Sequence, residues 1–223
     1  MNHEALIEEH SKVMAEQMLK AAHWAKSEED IRHAVNSLID EFISKANLNI
    51  KGKHEYGLAG GRIDSKYGGV VIEYKAPKGS GKITEDRSAP GVKAVVKQIT
   101  GRFLDLQREE KVGMERILGV GCDGDTFVFV RQRKKVLDIE DPQPVTHFTV
   151  ERLLRAIISV GAKGYSFTPE NLAECFGAES RSAQAGVRLI YGLIKETDSP
   201  KAQTFFRQWQ ILFGEVCGYD IHG

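Results

Sequence analysis

Cysteine is scarce. Cys122, Cys175 and Cys217 are the only three among 223 residues. An odd number at wide spacing forms neither a disulfide framework nor a metal knuckle. Free thiols fit a reducing compartment, so the cytoplasm is the expected location. The seven histidines never fall four residues apart, which excludes an HExxH-type zinc helix. No apolar run approaches the roughly 18 residues of a membrane helix, so no membrane partner is expected. The N-terminal MNHEALIEEHSK is acidic and has no apolar core, so it does not read as a signal peptide. Repeats and low-complexity tracts are missing too. Net charge is also lacking: 31 basic residues balance 31 acidic ones, whereas general nucleic-acid binders are usually basic.

What is present is ordinary globular composition, 41% hydrophobic and 28% charged. The length suits one generous domain, or one with an appendage. Helical periodicity covers residues 3–25, and again a segment capped by Ser27 and ending near Asn47. Strand texture follows at 54–58 and 62–64, then a turn over Ser65–Gly69, then the apolar strand Val70–Lys75. A polar Gly/Ser/Pro loop occupies 78–91, suited to ordering on a substrate, and a helix covers 91–110. Strands at 117–120 and 127–130 flank a Cys122–Asp125 turn. Thr149 offers a cap for a helix to Val160, Thr168-Pro169-Glu170 a further helix start, and two helices run over 180–196 and 200–214. The expected fold class is α/β, a mixed sheet flanked by helices with a C-terminal helical region. The expected division is a core over 1–145 and helices over 146–223.

The chemistry concentrates between Gly61 and Pro77. Side chains alternate along a strand, so Glu73 and Lys75 share a face opposite Val70, Ile72 and Tyr74. Two charges on so apolar a strand are costly unless used. A hairpin folds Asp64 back toward Glu73. Paired carboxylates repel, and a divalent cation relieves the repulsion. Oxygen ligands of this type suit Mg²⁺, with Mn²⁺ as a substitute. Such a cation suits phosphodiester hydrolysis: it polarises a phosphate oxygen and acidifies a bound water. Lys75, beside two acids, reads as an electrostatic group rather than a free base.

At these residues the sequence resembles the PD-(D/E)xK nuclease superfamily. Asp64, Glu73 and Lys75 match its acid, hairpin and Glu-x-Lys pattern over roughly residues 25–135, with Ile63 where Pro often precedes the first acid. The resemblance implies a restriction-endonuclease-like core, metal ligation by Asp64 and Glu73, and catalysis by both with Lys75. It further implies an acid from the preceding helix and a Gln from the following one. Glu28 extends the stripe of Ile31, Val35, Leu38 and Phe42, so it is the first choice over Glu41 and Glu55. Gln98 fits the second role by its order in the chain.

The zero net charge hides an asymmetry. Bases dominate 74–102, and Lys78, Lys82, Arg87, Lys93 and Arg102 are candidate DNA contacts. Arg131–Lys135 adds more. The leading expectation is a Mg²⁺-dependent endonuclease acting on double-stranded DNA in a restriction–modification or related defence system. The alternatives are a structure-specific repair or recombination nuclease and a non-catalytic DNA-binding module. Cutting both strands needs two sites, as in a homodimer, or two visits. The apolar helix with Phe205, Phe206, Trp209, Leu212 and Phe213 runs nearly to the end. It suggests further domains in a longer polypeptide, an organisation similar to nuclease domains fused ahead of methyltransferases.

Overall fold

The structure is a computed structural model that describes residues 3–133, 135–161, 177 and 180–217. Six helices and seven strands occur among the described residues. The first compact unit runs over Met1–Thr168 and the second over Pro169–Gly223.

In the first unit, α1 (His3–Trp24) and α2 (Glu28–Lys45) precede three antiparallel strands, β1 (Lys53–Leu58), β2 (Gly61–Tyr67) and β3 (Val70–Tyr74). Helix α3 (Pro90–Glu109) then crosses over to β4 (Leu118–Cys122), which runs parallel to β3. The strands β5 (Thr126–Arg133), β6 (Val136–Ile139) and β7 (Gln143–Pro144) complete one mixed sheet in the order β1-β2-β3-β4-β5-β6, with β7 also on β5. Helix α4 (His147–Gly161) returns to pack against α1.

The expected cap of α2 is present. Ser27 Oγ accepts from the Asp30 N–H at 3.1 Å, and Asp30 Oδ2 accepts from the Ser27 N–H at 3.0 Å. This reciprocal pair satisfies two donors that a helix start otherwise leaves open. It also fixes Glu28 as the first helical residue.

Two apolar cores sandwich the sheet. Helices α1, α2 and α4 cover one face, against Tyr67, Val70, Ile72, Tyr74, Val120 and Phe129. Helix α3 covers the other, against Ile63, Val71, Val128 and Val130. The expected boundary at 145 therefore moves: Val150, Leu153, Leu154 and Ile157 of α4 belong to the first core. Helix α4 also starts earlier than expected, at His147. Thr149 is not its cap; Thr146 Oγ1 accepts from the Thr149 N–H at 3.3 Å.

The 65–69 turn is also corrected. Ser65, Lys66 and Tyr67 belong to β2, paired with Ile72, Val71 and Val70. Burial of the Tyr67 ring draws them into the sheet, and the loop shrinks to Gly68-Gly69. Gly68 takes φ +62, the region a two-residue hairpin demands. Of the basic run at 131–135, Arg131, Gln132 and Arg133 lie in β5, with Arg131 buried.

One irregularity matters for the site. Residues two apart on a strand share a face. Yet Ile63 packs in the α3 core while Ser65 bonds Asn36 of α2. Across on β1, Tyr56 lies with the α3 core while His54 bonds Ser65. Both strands thus change sides at the same level, at Asp64 and Glu55. Glu55 has φ +48, a left-handed backbone that costs a non-glycine residue about 1–2 kcal/mol.

In the second unit, α5 (Arg181–Glu196) and α6 (Pro200–Cys217) form a helical pair close to the expected spans. The expected helix start at Thr168-Pro169-Glu170 lies outside the described residues. No helix among the described residues is long and apolar enough to cross a membrane.

Candidate active site

The pairing that joins Ser65 to Ile72, carried one step further, sets Asp64 opposite Glu73. The change of faces turns the Asp64 side chain toward β3. Its Oδ2 accepts from the Tyr74 N–H at 2.8 Å, in place of a main-chain ladder bond. Asp64 is half-buried, while Glu73 is 1% exposed.

Glu73 lies on the α3 face. Its Oε1 accepts from Arg102 Nε at 3.0 Å. Burial and the Asp64 charge push the Glu73 carboxyl up to about 7, with Arg102 and Lys75 opposing. The second oxygens of Asp64 and Glu73 have no hydrogen-bond partner among the described residues. A two-carboxylate donor set with open oxygens fits Mg²⁺, which takes one or two carboxylates and keeps its waters. No larger group of His, Cys, Asp or Glu is placed to hold a metal among the described residues.

Lys75 lies just past the end of β3, its N–H still donating to the Cys122 carbonyl at 2.9 Å. Its ammonium donates to Glu28 Oε2 at 3.2 Å and to the Tyr74 carbonyl at 2.7 Å. Glu28, at the start of the α2 stripe of Ile31, Val35 and Phe42, is thus in contact with Lys75. Strand alternation alone gave Glu73 and Lys75 a common face. Instead, the partner of Glu73 comes from α3 and that of Lys75 from α2. The site straddles the end of the sheet.

The other acids stand elsewhere. Glu41 pairs with Lys45 at 2.6 Å, and Glu55 with Arg32 at 3.1 Å. Gln98 is exposed on α3, one turn before Arg102.

Most candidate DNA contacts already have protein partners. Lys78 donates to the His23 and Ala25 carbonyls, closing the C-terminal end of α1. Lys82 pairs with Asp125 at 2.9 Å, and Arg87 with Asp141 at 3.7 Å. Lys93 is exposed. Arg102 is the clear departure: its guanidinium points at Glu73, the Gly60 carbonyl and Asp105 rather than outward.

Three features escaped sequence reasoning. Asn36 Oδ1 accepts from Ser65 Oγ at 2.8 Å, Tyr74 OH at 2.8 Å and Tyr67 OH at 3.4 Å. These bonds tie α2 to the residues adjoining Asp64 and Glu73. Asp123, fully buried and pushed up to about 6 by burial, accepts from the Asp125, Thr126 and Ile83 N–H groups. Together with the buried Ile83 side chain, it fastens the 78–91 loop to the β4–β5 turn, so that loop is held without a substrate. Arg102 is the third. The one available signal for it was its place on α3, a turn after Gln98.

Comparison of the chain with family models, curated proteins and solved structures finds no match in any of the three.

Proposed function

We propose that this chain is a divalent-cation-dependent DNA endonuclease domain with a restriction-endonuclease-like core, serving a restriction–modification or related defence system. The observation that carries the reading is the pair Asp64 and Glu73 on adjacent strands, each with an open oxygen, beside Lys75. The order helix, three antiparallel strands, crossover helix and parallel strand supports it.

Asp64 and Glu73 would hold Mg²⁺ or Mn²⁺. The bound ion would supply Lewis-acid polarisation of a phosphodiester and a more acidic water. Lys75 contributes a fixed positive charge where negative charge develops on phosphorus. Glu28 and the Tyr74 carbonyl hold that ammonium in place. Lys78, Lys82, Arg87 and Lys93 are the proposed contacts to double-stranded DNA. The exposed pair of Arg87 is worth little, so phosphate can replace its partner at small cost. Arg102 leaves this set and joins the site itself.

The test is cleavage of plasmid, linear and branched duplexes with Mg²⁺ by the wild type, Lys75→Ala and Glu73→Ala. The reading expects cutting of linear duplex that both substitutions abolish. Cutting confined to branched DNA would indicate a repair nuclease. DNA binding with no cutting and no cation dependence would indicate a binding module. Cleavage indifferent to both substitutions would refute the site.

A further inference from the structure

We propose that Arg102 is a resident counter-ion of Glu73 which a divalent cation displaces, and that Asp105 receives the displaced guanidinium. The inference rests on the reading of Asp64 and Glu73 as a cation-binding pair.

Three carboxylates and one guanidinium share this corner. Glu73 is 1% exposed and Asp105 is 6% exposed. An ionised carboxylate at such depth is costly without a counter-charge. Arg102 is the only ion-pair partner of either among the described residues. It is bonded to Glu73 at 3.0 Å and stands 3.9 Å from Asp105, just beyond hydrogen-bond range. The guanidinium therefore sits between two acceptors and is committed to one.

The surrounding backbone is shaped for it. Nη1 donates to the Gly60 carbonyl at 3.1 Å. Gly61 has φ +131, and a Cβ there would stand 2.7 Å from Nη1. A Cβ at Gly60 would collide with the Asp105 carboxylate. Two consecutive glycines thus clear a seat for the guanidinium and for its second acceptor.

Formal charge makes the exchange orderly. When ionised, Asp64, Glu73 and Asp105 carry three negative charges against one positive on Arg102, and the adjoining Lys75–Glu28 pair cancels, which leaves a deficit of two. One divalent cation neutralises the group. A guanidinium and a divalent ion on one carboxylate repel each other, whereas Asp105 lies one helical turn from Arg102 and has no other ion-pair partner among the described residues. Arg102 is accordingly a positioning residue. It holds Glu73 in place before the cation arrives, and it lowers cation affinity until a substrate phosphate adds its own attraction.

The test is calorimetric titration of the 223-residue chain with Mn²⁺ alone, without DNA. The variants are Arg102→Gln, Asp105→Asn and Asp64→Asn, each checked for folding by circular dichroism. Arg102→Gln is expected to bind Mn²⁺ about tenfold more tightly than the wild type. Asp105→Asn removes the receiving seat and is expected to bind about tenfold more weakly. Asp64→Asn is expected to abolish binding. Equal or weaker binding by Arg102→Gln, with binding still lost in Asp64→Asn, overturns the role of Arg102 and leaves the carboxylate pair standing. No Mn²⁺ binding in any variant overturns the carboxylate pair and this proposal together. If Arg102→Gln does not fold, Asp105→Asn decides: affinity at or above the wild type overturns the proposal.

Discussion

Glu73→Gln should stabilise the cation-free protein at high pH and do so much less at low pH. In the folded chain the Glu73 carboxyl is raised from 4.5 to about 7, first by burial and next by the Asp64 charge. Between those two pH values the folded state holds a proton that the unfolded state has released. Stability contributed by this group is therefore complete below about 4.5 and is lost as pH rises to about 7. The displacement corresponds to about 3 kcal/mol. Glutamine keeps an oxygen for the Arg102 Nε and removes the charge. Urea unfolding in EDTA at pH 5 and pH 8 measures the effect. Asp123, buried and pushed up to about 6, also titrates in this range, so the informative quantity is the variant-minus-wild-type difference at each pH. That difference should grow by about 2 kcal/mol in favour of the variant between pH 5 and pH 8. A difference that is flat with pH, or that favours the wild type at pH 8, would refute the claim that Glu73 is under-compensated by Arg102.

Two further perturbations test the supports of the site. Asp123→Ala strips the acceptor from the Ile83, Asp125 and Thr126 N–H groups. It should cost about 2–4 kcal/mol and open the 78–91 loop to limited proteolysis under native conditions. Asn36→Leu removes the shared acceptor of the Ser65 and Tyr74 hydroxyls inside the core, leaving Ser65 with His54. A loss of about 3 kcal/mol in denaturant unfolding is expected, and a loss below about 1 kcal/mol would mean the three bonds contribute little.

Periodicity carried most of the fold. The 3.6-residue stripes located α2 and α3, and the apolar run at 70–75 located β3, because burial of one face or of a whole strand leaves a pattern in composition. Ser27 was readable because a cap is a local bond. Asp64 and Glu73 were readable as neighbours because a hairpin relates sequence distance to spatial distance. What escaped depends on partners far along the chain. Arg102 reads from the sequence as one base in a basic stretch; only the packing of α3 on β3 aims it at Glu73. Asn36 looks like an ordinary polar residue of a helix until three hydroxyls from two strands converge on it. The face change at Asp64 contradicts simple alternation, and Glu55 gives no hint of φ +48, since nothing in its side chain favours that backbone.

That face change gives β2 a double allegiance. Ile63 is packed into the layer of α3, whereas Ser65 and Tyr67 face the layer of α1, α2 and α4. Separation of either helical layer from the sheet pulls on Asp64, the point where the two halves meet. Amide exchange along β2 should accordingly fall into two groups that divide at Asp64, each sharing the opening free energy of its own helical layer. The carboxylate at the centre of the site keeps its position only while both layers are closed.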